Sequence, residues 1–137
     1  MSRILIDTNV IIDLVVQDNE WRKWSAQALN EAARHSRLVI NQIILAELSI
    51  GFERSEDVDA LIEEAGIERE DLPWEAAFLA GKAYVLYRRR NGQKRSPLPD
   101  FFIGAHAATR GYTLLTRDAR LQRTYFPGVP LITPPVA

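Results

Sequence analysis

Two kinds of apolar pattern alternate along the chain. Short, wholly apolar runs appear at Ile4-Leu5-Ile6 and Leu38-Val39-Ile40, and a third strand-like run covers Tyr112 to Thr116. Runs of this length with no polar interruption predict strands buried on both faces. Between them, apolar residues recur every three or four positions, which predicts helices. Val10 to Val16 reads as a short helix with Asp13 inside it, and Trp21 to Arg34 as a longer one. Gln42 to Phe52 reads as a third helix. Ser55 can cap a fourth, which Gly66 can end. Pro73 suits the first turn of a long helix to about Arg90, stopped by Asn91-Gly92. Pro97 and Pro99 punctuate a loop before a helix over Asp100 to Thr109, and Leu131-Ile132 is a fourth candidate strand. Strands alternating with helices predict an α/β domain, three layers deep, with a short, mainly parallel sheet between helices.

Composition narrows the picture. The 137 residues fit a single domain, residues 1–137, and a 47% hydrophobic content can fill a core. There is no cysteine, so disulfides and thiolate metal sites are excluded, and a metal would need oxygen or imidazole ligands. No apolar run approaches a membrane span, and three apolar residues before Asp7 are too few for a signal peptide. The expected location is the cytoplasm. A net charge of −1 gives no argument for nucleic-acid binding, but the charges are segregated. Glu53 to Glu75 holds ten acidic and two basic residues. Lys82 to Arg123 holds ten basic and two acidic ones, and those two are Asp100 and Asp118. A cationic surround with two isolated aspartates suits an RNA backbone, contacted by Lys94, Arg95 and Arg117. A solvated helix end would equally explain Arg88-Arg89-Arg90.

Four carboxylates stand at telling places. Asp7 ends the first strand, and Asp118 follows the third by way of Thr116 and Arg117. Ligands of open α/β sheets bind beyond the carboxyl ends of the strands. Glu47 stands in an apolar helix, and Asp100 opens the helix after Pro99. Singly, each has a plain explanation: Asp7, Asp100 and Asp118 as helix caps or dipole partners, Glu47 as a solvated side chain. Together they would repel one another unless a hard cation neutralised them. An all-oxygen set suits magnesium or manganese.

The motifs themselves have a family likeness. Ile4-Leu5-Ile6-Asp7-Thr8-Asn9-Val10-Ile11-Ile12 resembles the opening of PIN domains. Ala46-Glu47-Leu48 resembles their second acidic motif, Leu98-Pro99-Asp100-Phe101-Phe102-Ile103-Gly104-Ala105-His106-Ala107 the third, and Leu114-Leu115-Thr116-Arg117-Asp118 the fourth. Tyr125-Phe126-Pro127-Gly128-Val129 is similar to the tail of the VapC-type toxins. The likeness spans nearly the whole chain in order. It implies a PIN-like α/β/α fold and an RNA-cleaving toxin of a toxin–antitoxin pair. It also implies one or two Mg2+ or Mn2+ ions held by Asp7, Glu47, Asp100 and Asp118. Thr8 and Asn9 would shape the first turn, and a Thr116 hydroxyl bond would help position the site. An antitoxin and a second copy of the chain are the implied partners beside RNA.

Other features have blander readings. His106 lies six residues after Asp100, well round the helix from it, and His35 reads as solvated, so zinc is not expected. Trp21, Trp24 and Trp74 read as core, with an antitoxin groove beside the first two as the alternative. Ala76, Ala77, Ala80, Gly81 and Ala83 form a small-residue face for close packing, within the domain or across a dimer. A haloacid-dehalogenase-type phosphatase would need an acid where Asn9 stands. A receiver domain would need an acidic pair after the first strand. The remaining competitor is a catalytically quiet PIN-like module that binds RNA or protein.

Overall fold

The structure, a computed structural model, describes residues 2–91 and 98–135. Within them five strands form one parallel sheet. In chain order they are β1 (Ser2–Ile6), β2 (Ser36–Ile40), β3 (Ile67–Arg69), β4 (Thr113–Leu115) and β5 (Leu131–Ile132). Their order across the sheet is β3-β2-β1-β4-β5, and every neighbouring pair is parallel. Leu5 lies opposite Val39 on one side and Leu114 on the other. All three are buried, as expected for strands covered on both faces.

The helices are α1 (Thr8–Val15), α2 (Arg22–His35), α3 (Gln42–Ser49), α4 (Ser55–Glu64), α5 (Trp74–Asn91), α6 (Leu98–Arg110) and α7 (Arg120–Tyr125). Parallel strands need crossovers, and these are right-handed in nearly all proteins. The sheet grows one way from β1 to β3, then returns past β1 to β4 and β5. Right-handed crossovers therefore put α1–α4 on one face and α5–α7 on the other. Packing of α1 with α2 and α3, and of α6 with α5 and α7, agrees.

Local chemistry sets the boundaries. Asp7 and Asn41 are the N-caps of α1 and α3, with side-chain oxygens accepting from the Thr8 and Ile44 amides. Gly66 ends α4 with φ +69°, where a side chain would be strained. Gly104 serves a different need. A Cβ there would lie 2.1 Å from Gln122 Oε1 and 2.5 Å from the Phe126 ring. Only a glycine lets α7 and its C-cap Phe126 close on α6.

The sequence reading differs from the structure at β3, Trp74 and Gly81, and two alternatives it left open are decided. It has no β3, which carries one buried apolar residue and sits at the sheet edge. Trp74, expected in the core, is 91% exposed on α5, where Phe78 is exposed too. The small-residue face is used inside the domain. Ala76, Ala80 and Ala83 are buried, and α5 packs most closely on α6. Gly81 stands clear of it, exposed and with nothing within 4 Å of a Cβ placed there. Finally, Trp21 is half-buried beneath Arg117 and Trp24 packs against the core, so neither opens a groove. Among the described residues no helix is long and apolar enough to cross a membrane.

Candidate active site

The chain reverses its direction of travel across the sheet at the boundary between β1 and β4. Clefts open at such a switch point, beyond the carboxyl ends of the strands. Here the cleft is a cavity of about 1300 Å³, and Asp7, Glu47, Asp100 and Asp118 all line it. They come from four elements: the end of β1, the middle of α3, the first turn of α6 and the turn after β4.

Each carboxylate is held differently. Asp7 is buried, and its amide donates to the Leu115 carbonyl, tying the ends of β1 and β4 together. One of its oxygens accepts from the Thr8 amide at 2.8 Å. The other accepts from the Thr116 hydroxyl at 2.7 Å and, at 3.4 Å, from the Asn9 amide. Glu47 is half-buried and accepts from the Thr8 hydroxyl at 2.6 Å, so it is not a free surface group. Asp100 lies in the third position of α6, within the helix and not at its cap. Asp118 is exposed, and α7 has Ala119 at its N-cap, so capping does not account for Asp118. Its amide donates to the Thr116 oxygen at 3.2 Å, and Arg120 approaches it at 3.6 Å.

The electrostatics are unbalanced. Burial pushes the Asp7 carboxyl up to about 6. The bonds from Thr116 and Thr8 oppose the rise, and the charges of Glu47 and Asp118 add to it. Burial likewise raises Asp100 to about 6, followed by repulsion from Asp7, Glu47 and Asp118. Mutual repulsion means that the four charges act on one another across the cleft. A divalent cation would remove this repulsion, and the donors offered are all oxygen, which fits magnesium or manganese. Among the described residues no group of three or more His, Asp or Glu side chains is drawn together tightly enough to hold an ion as it stands. The carboxylates ring the cavity, and ligation would draw them inward.

The cavity walls differ in character. α1 and the turn after α3 contribute Ile12, Val15, Val16, Ile50 and Phe52. From α5 and α7 come Tyr87, Arg90, Arg120 and Tyr125, with the Arg90 guanidinium 5.6 Å above the Tyr125 ring. Neither wall was singled out in the sequence. Arg90 was visible only as part of a basic helix end.

The other sequence-predicted residues are placed as follows. Arg117 does not face the cavity. Its Nε and Nη2 donate to the two oxygens of buried Asp13 at 2.8 and 2.9 Å. Lys94 and Arg95 lie outside the described residues. His106 is fully buried and away from the cleft, between Asn41 and Glu70. The Asn41 oxygen already accepts from Ile44, so its amide group faces His106 Nδ1 at 2.9 Å. His106 Nε2 then carries the proton and donates to Glu70. Tyr112 also donates to Glu70, and Arg3 lies 3.7 Å from it. His35 is exposed beside Glu31.

A family model described as PIN domain matches residues 4–127. No curated protein sequence matches the chain. Solved structures do. The DNA-bound VapBC of Salmonella typhimurium is 27% identical, with a TM-score of 0.68, covering 97% of this chain and 98% of that one. VapBC2 of Rickettsia felis, bound to a promoter DNA fragment, is 20% identical with a TM-score of 0.69, covering 96% and 98%. VapC20 of Mycobacterium tuberculosis, a sarcin-ricin-loop-cleaving toxin, is 16% identical with a TM-score of 0.61, covering 92% and 98%.

Proposed function

The chain belongs to the PIN-domain family, and on that premise we propose that it is a metal-dependent endoribonuclease acting as the toxin of a toxin–antitoxin pair. The observation that carries the reading is the meeting of four carboxylates from four elements in one cavity, two of them with raised proton affinity. Carboxylates kept in repulsion do nothing for stability, whereas a cation-dependent reaction requires them.

Asp7 and Asp100 would hold a magnesium or manganese ion, with Glu47 and Asp118 completing a site for one or two ions. When bound, such an ion supplies an activated water and stabilises charge developing on a phosphate. The chain's own groups do the rest. Thr116 and the Thr8 amide aim the Asp7 oxygens, and the Thr8 hydroxyl fixes Glu47. Arg90, lying over the Tyr125 ring, and Arg120 put positive charge on the wall where an RNA strand would lie. Lys94 and Arg95 remain candidates for RNA contact on their charge.

The partners follow from the surfaces. Val15, Val16 and Ile50 are exposed and line the cavity, so an antitoxin would lay an apolar segment there and send a basic residue to the carboxylates. The solved relatives from Salmonella and Rickettsia are themselves VapBC pairs. A homodimer would use the outer face of α5 at Trp74 and Phe78, not its small-residue face. The cytoplasm is the proposed location.

The test is cleavage of a mixed RNA substrate by purified protein with chelator, magnesium or manganese, beside Asp7→Asn. Metal-dependent cleavage lost in the variant is the expected result. No cleavage under any of these conditions, with RNA still bound, would favour the quiet binding module.

A further inference from the structure

Asp13 is fully buried, yet it does not line the cleft and, among the described residues, its hydrogen bonds go to none of the four cleft carboxylates. Four donors converge on it. Asn19 Nδ2 reaches one oxygen at 2.7 Å and Ser25 Oγ the other at 2.7 Å. The Arg117 fork spans both. Burial would raise the acid's pKa, but the bonds from Arg117, Ser25 and Asn19 outweigh it and hold the carboxyl below its usual value. The guanidinium is covered on another side by the Trp21 ring, 5.8 Å from its centre.

Arg117 is the middle residue of the turn that serves the cleft. Thr116, before it, donates to Asp7, and Asp118, after it, lines the cavity. The Arg117 amide donates to Asn9 Oδ1 at 3.3 Å. A side chain pinned at this position fixes the rotation of the turn, and so the directions of Thr116 and Asp118. It also keeps a cation out of the cleft. Arg117 is the chain neighbour of Asp118, and its amide bonds to Asn9, which itself bonds to Asp7, so a released guanidinium starts out beside the cleft acids.

We infer that Asp13 is a positioning residue for the acidic site: by clamping Arg117 it orients the 116–118 turn and withholds the guanidinium from the carboxylates. The inference rests on the nuclease reading only in what the site binds. The clamp itself is a property of the folded chain.

The experiment compares wild type, Asp13→Asn, Arg117→Gln and the double variant, each shown by circular dichroism to be folded. The first readout is manganese alone, without RNA, titrated against the melting temperature. Asp13→Asn should raise the midpoint of the manganese response at least tenfold, because the freed guanidinium competes for the carboxylates. Arg117→Gln should raise it about threefold, through loss of orientation alone. The double variant should resemble Arg117→Gln, so the second change rescues the first. A pair that only supports the fold predicts wild-type midpoints or a double variant worse than either single one, and each result overturns the inference. If Asp13→Asn does not fold, Arg117→Gln decides, and a wild-type midpoint there overturns the clamp. The second readout is amide hydrogen exchange of the metal-free protein. The Arg117 and Asp118 amides should exchange faster in Arg117→Gln while β1 and β2 keep their protection. Unchanged exchange in the turn overturns the clamp. A wild type that ignores manganese sinks the nuclease reading instead, and leaves exchange to judge the clamp.

Discussion

Asp7 caps a short helix and Asp13 lies within it, and both are buried, at 7% and 0% exposure, but their surroundings drive them in opposite directions. Asp13 is met by four donors, two of them on one positively charged guanidinium, and its carboxyl is held low. Asp7 receives the Thr8 amide, the Thr116 hydroxyl and a long bond from Asn9, with Glu47 and Asp118 nearby, and its carboxyl rises to about 6. Burial of an acid therefore does not mark a functional site. What marks it is burial without a compensating cation. The Glu70–His106 network makes the same point. Burial works to raise Glu70, but His106, Tyr112 and Arg3 bring it below its usual value, and nothing about it calls for a metal.

The contrast can be broken most forcefully at its compensated end. Arg117→Met leaves Asp13 buried without its cation. Loss of one partner of a buried pair costs about 3–5 kcal/mol, and urea unfolding should show a drop of that order. A loss below about 1 kcal/mol would mean that Asp13 is not held as described.

The uncompensated end should show its effect in chemistry. Asp7→Asn keeps the shape and removes a charge. RNA cleavage should fall at least about 100-fold, the scale of removing an electrostatic catalytic element. Single-turnover rates on one RNA substrate measure it, and full activity in a folded variant would sink the assignment.

The two aspartates should also give stability opposite pH signs. Burial raises the Asp7 carboxyl to about 6 from its ordinary value of 3.8. Its contribution is fully present below about 3.8 and is lost as pH rises through about 6, on the order of 3 kcal/mol in all. Asp13, held low, contributes above the usual carboxylate range and loses that contribution as pH falls through its depressed value. Melting of the metal-free protein from pH 4 to 7 should therefore flatten in Asp7→Asn. Loss of Asp13 should weaken the protein at the upper end of that range.

The smallest effect is expected at Asp100, where repulsion adds to a partial burial. Asp100→Asn should raise the melting temperature of the chelated protein by a few degrees and blunt the gain from magnesium. A lower melting temperature with an unchanged magnesium gain would make Asp100 a structural residue.

What was readable in the sequence follows the same division. β1 and β2 announce themselves as unbroken apolar runs and β4 as a strand-like one, and three of the four cleft acids stand just past a strand or in a helix's first turn, while Glu47 stands inside an apolar helix. β3 is unreadable because Ile67-Glu68-Arg69 turns one side chain inward and pairs at an edge, where Glu68 meets Arg37 instead of the core. Asp13 was visible as a lone acid in an apolar helix, but its partner lies 104 residues away and no local spacing links them. Trp74 shows the limit in reverse. An apolar residue type does not reveal which face of α5 it occupies, and the buried face is made by alanines.

The central place of β1 has a consequence for how the protein comes into being. Its first neighbour, β2, ends at residue 40, but its second, β4, begins only at residue 113. A chain still being made on the ribosome thus carries Asp7 and Glu47, while residues 48–112 are added, with one side of the middle strand unpaired. Asp118 and the Thr116 hydroxyl arrive only after β4 has been made. An enzyme that cut RNA would have every reason to be harmless to the message from which it is being read. If the chain cleaves RNA as proposed, this order of strands leaves its acidic set unfinished in the nascent chain until residue 118 has been made.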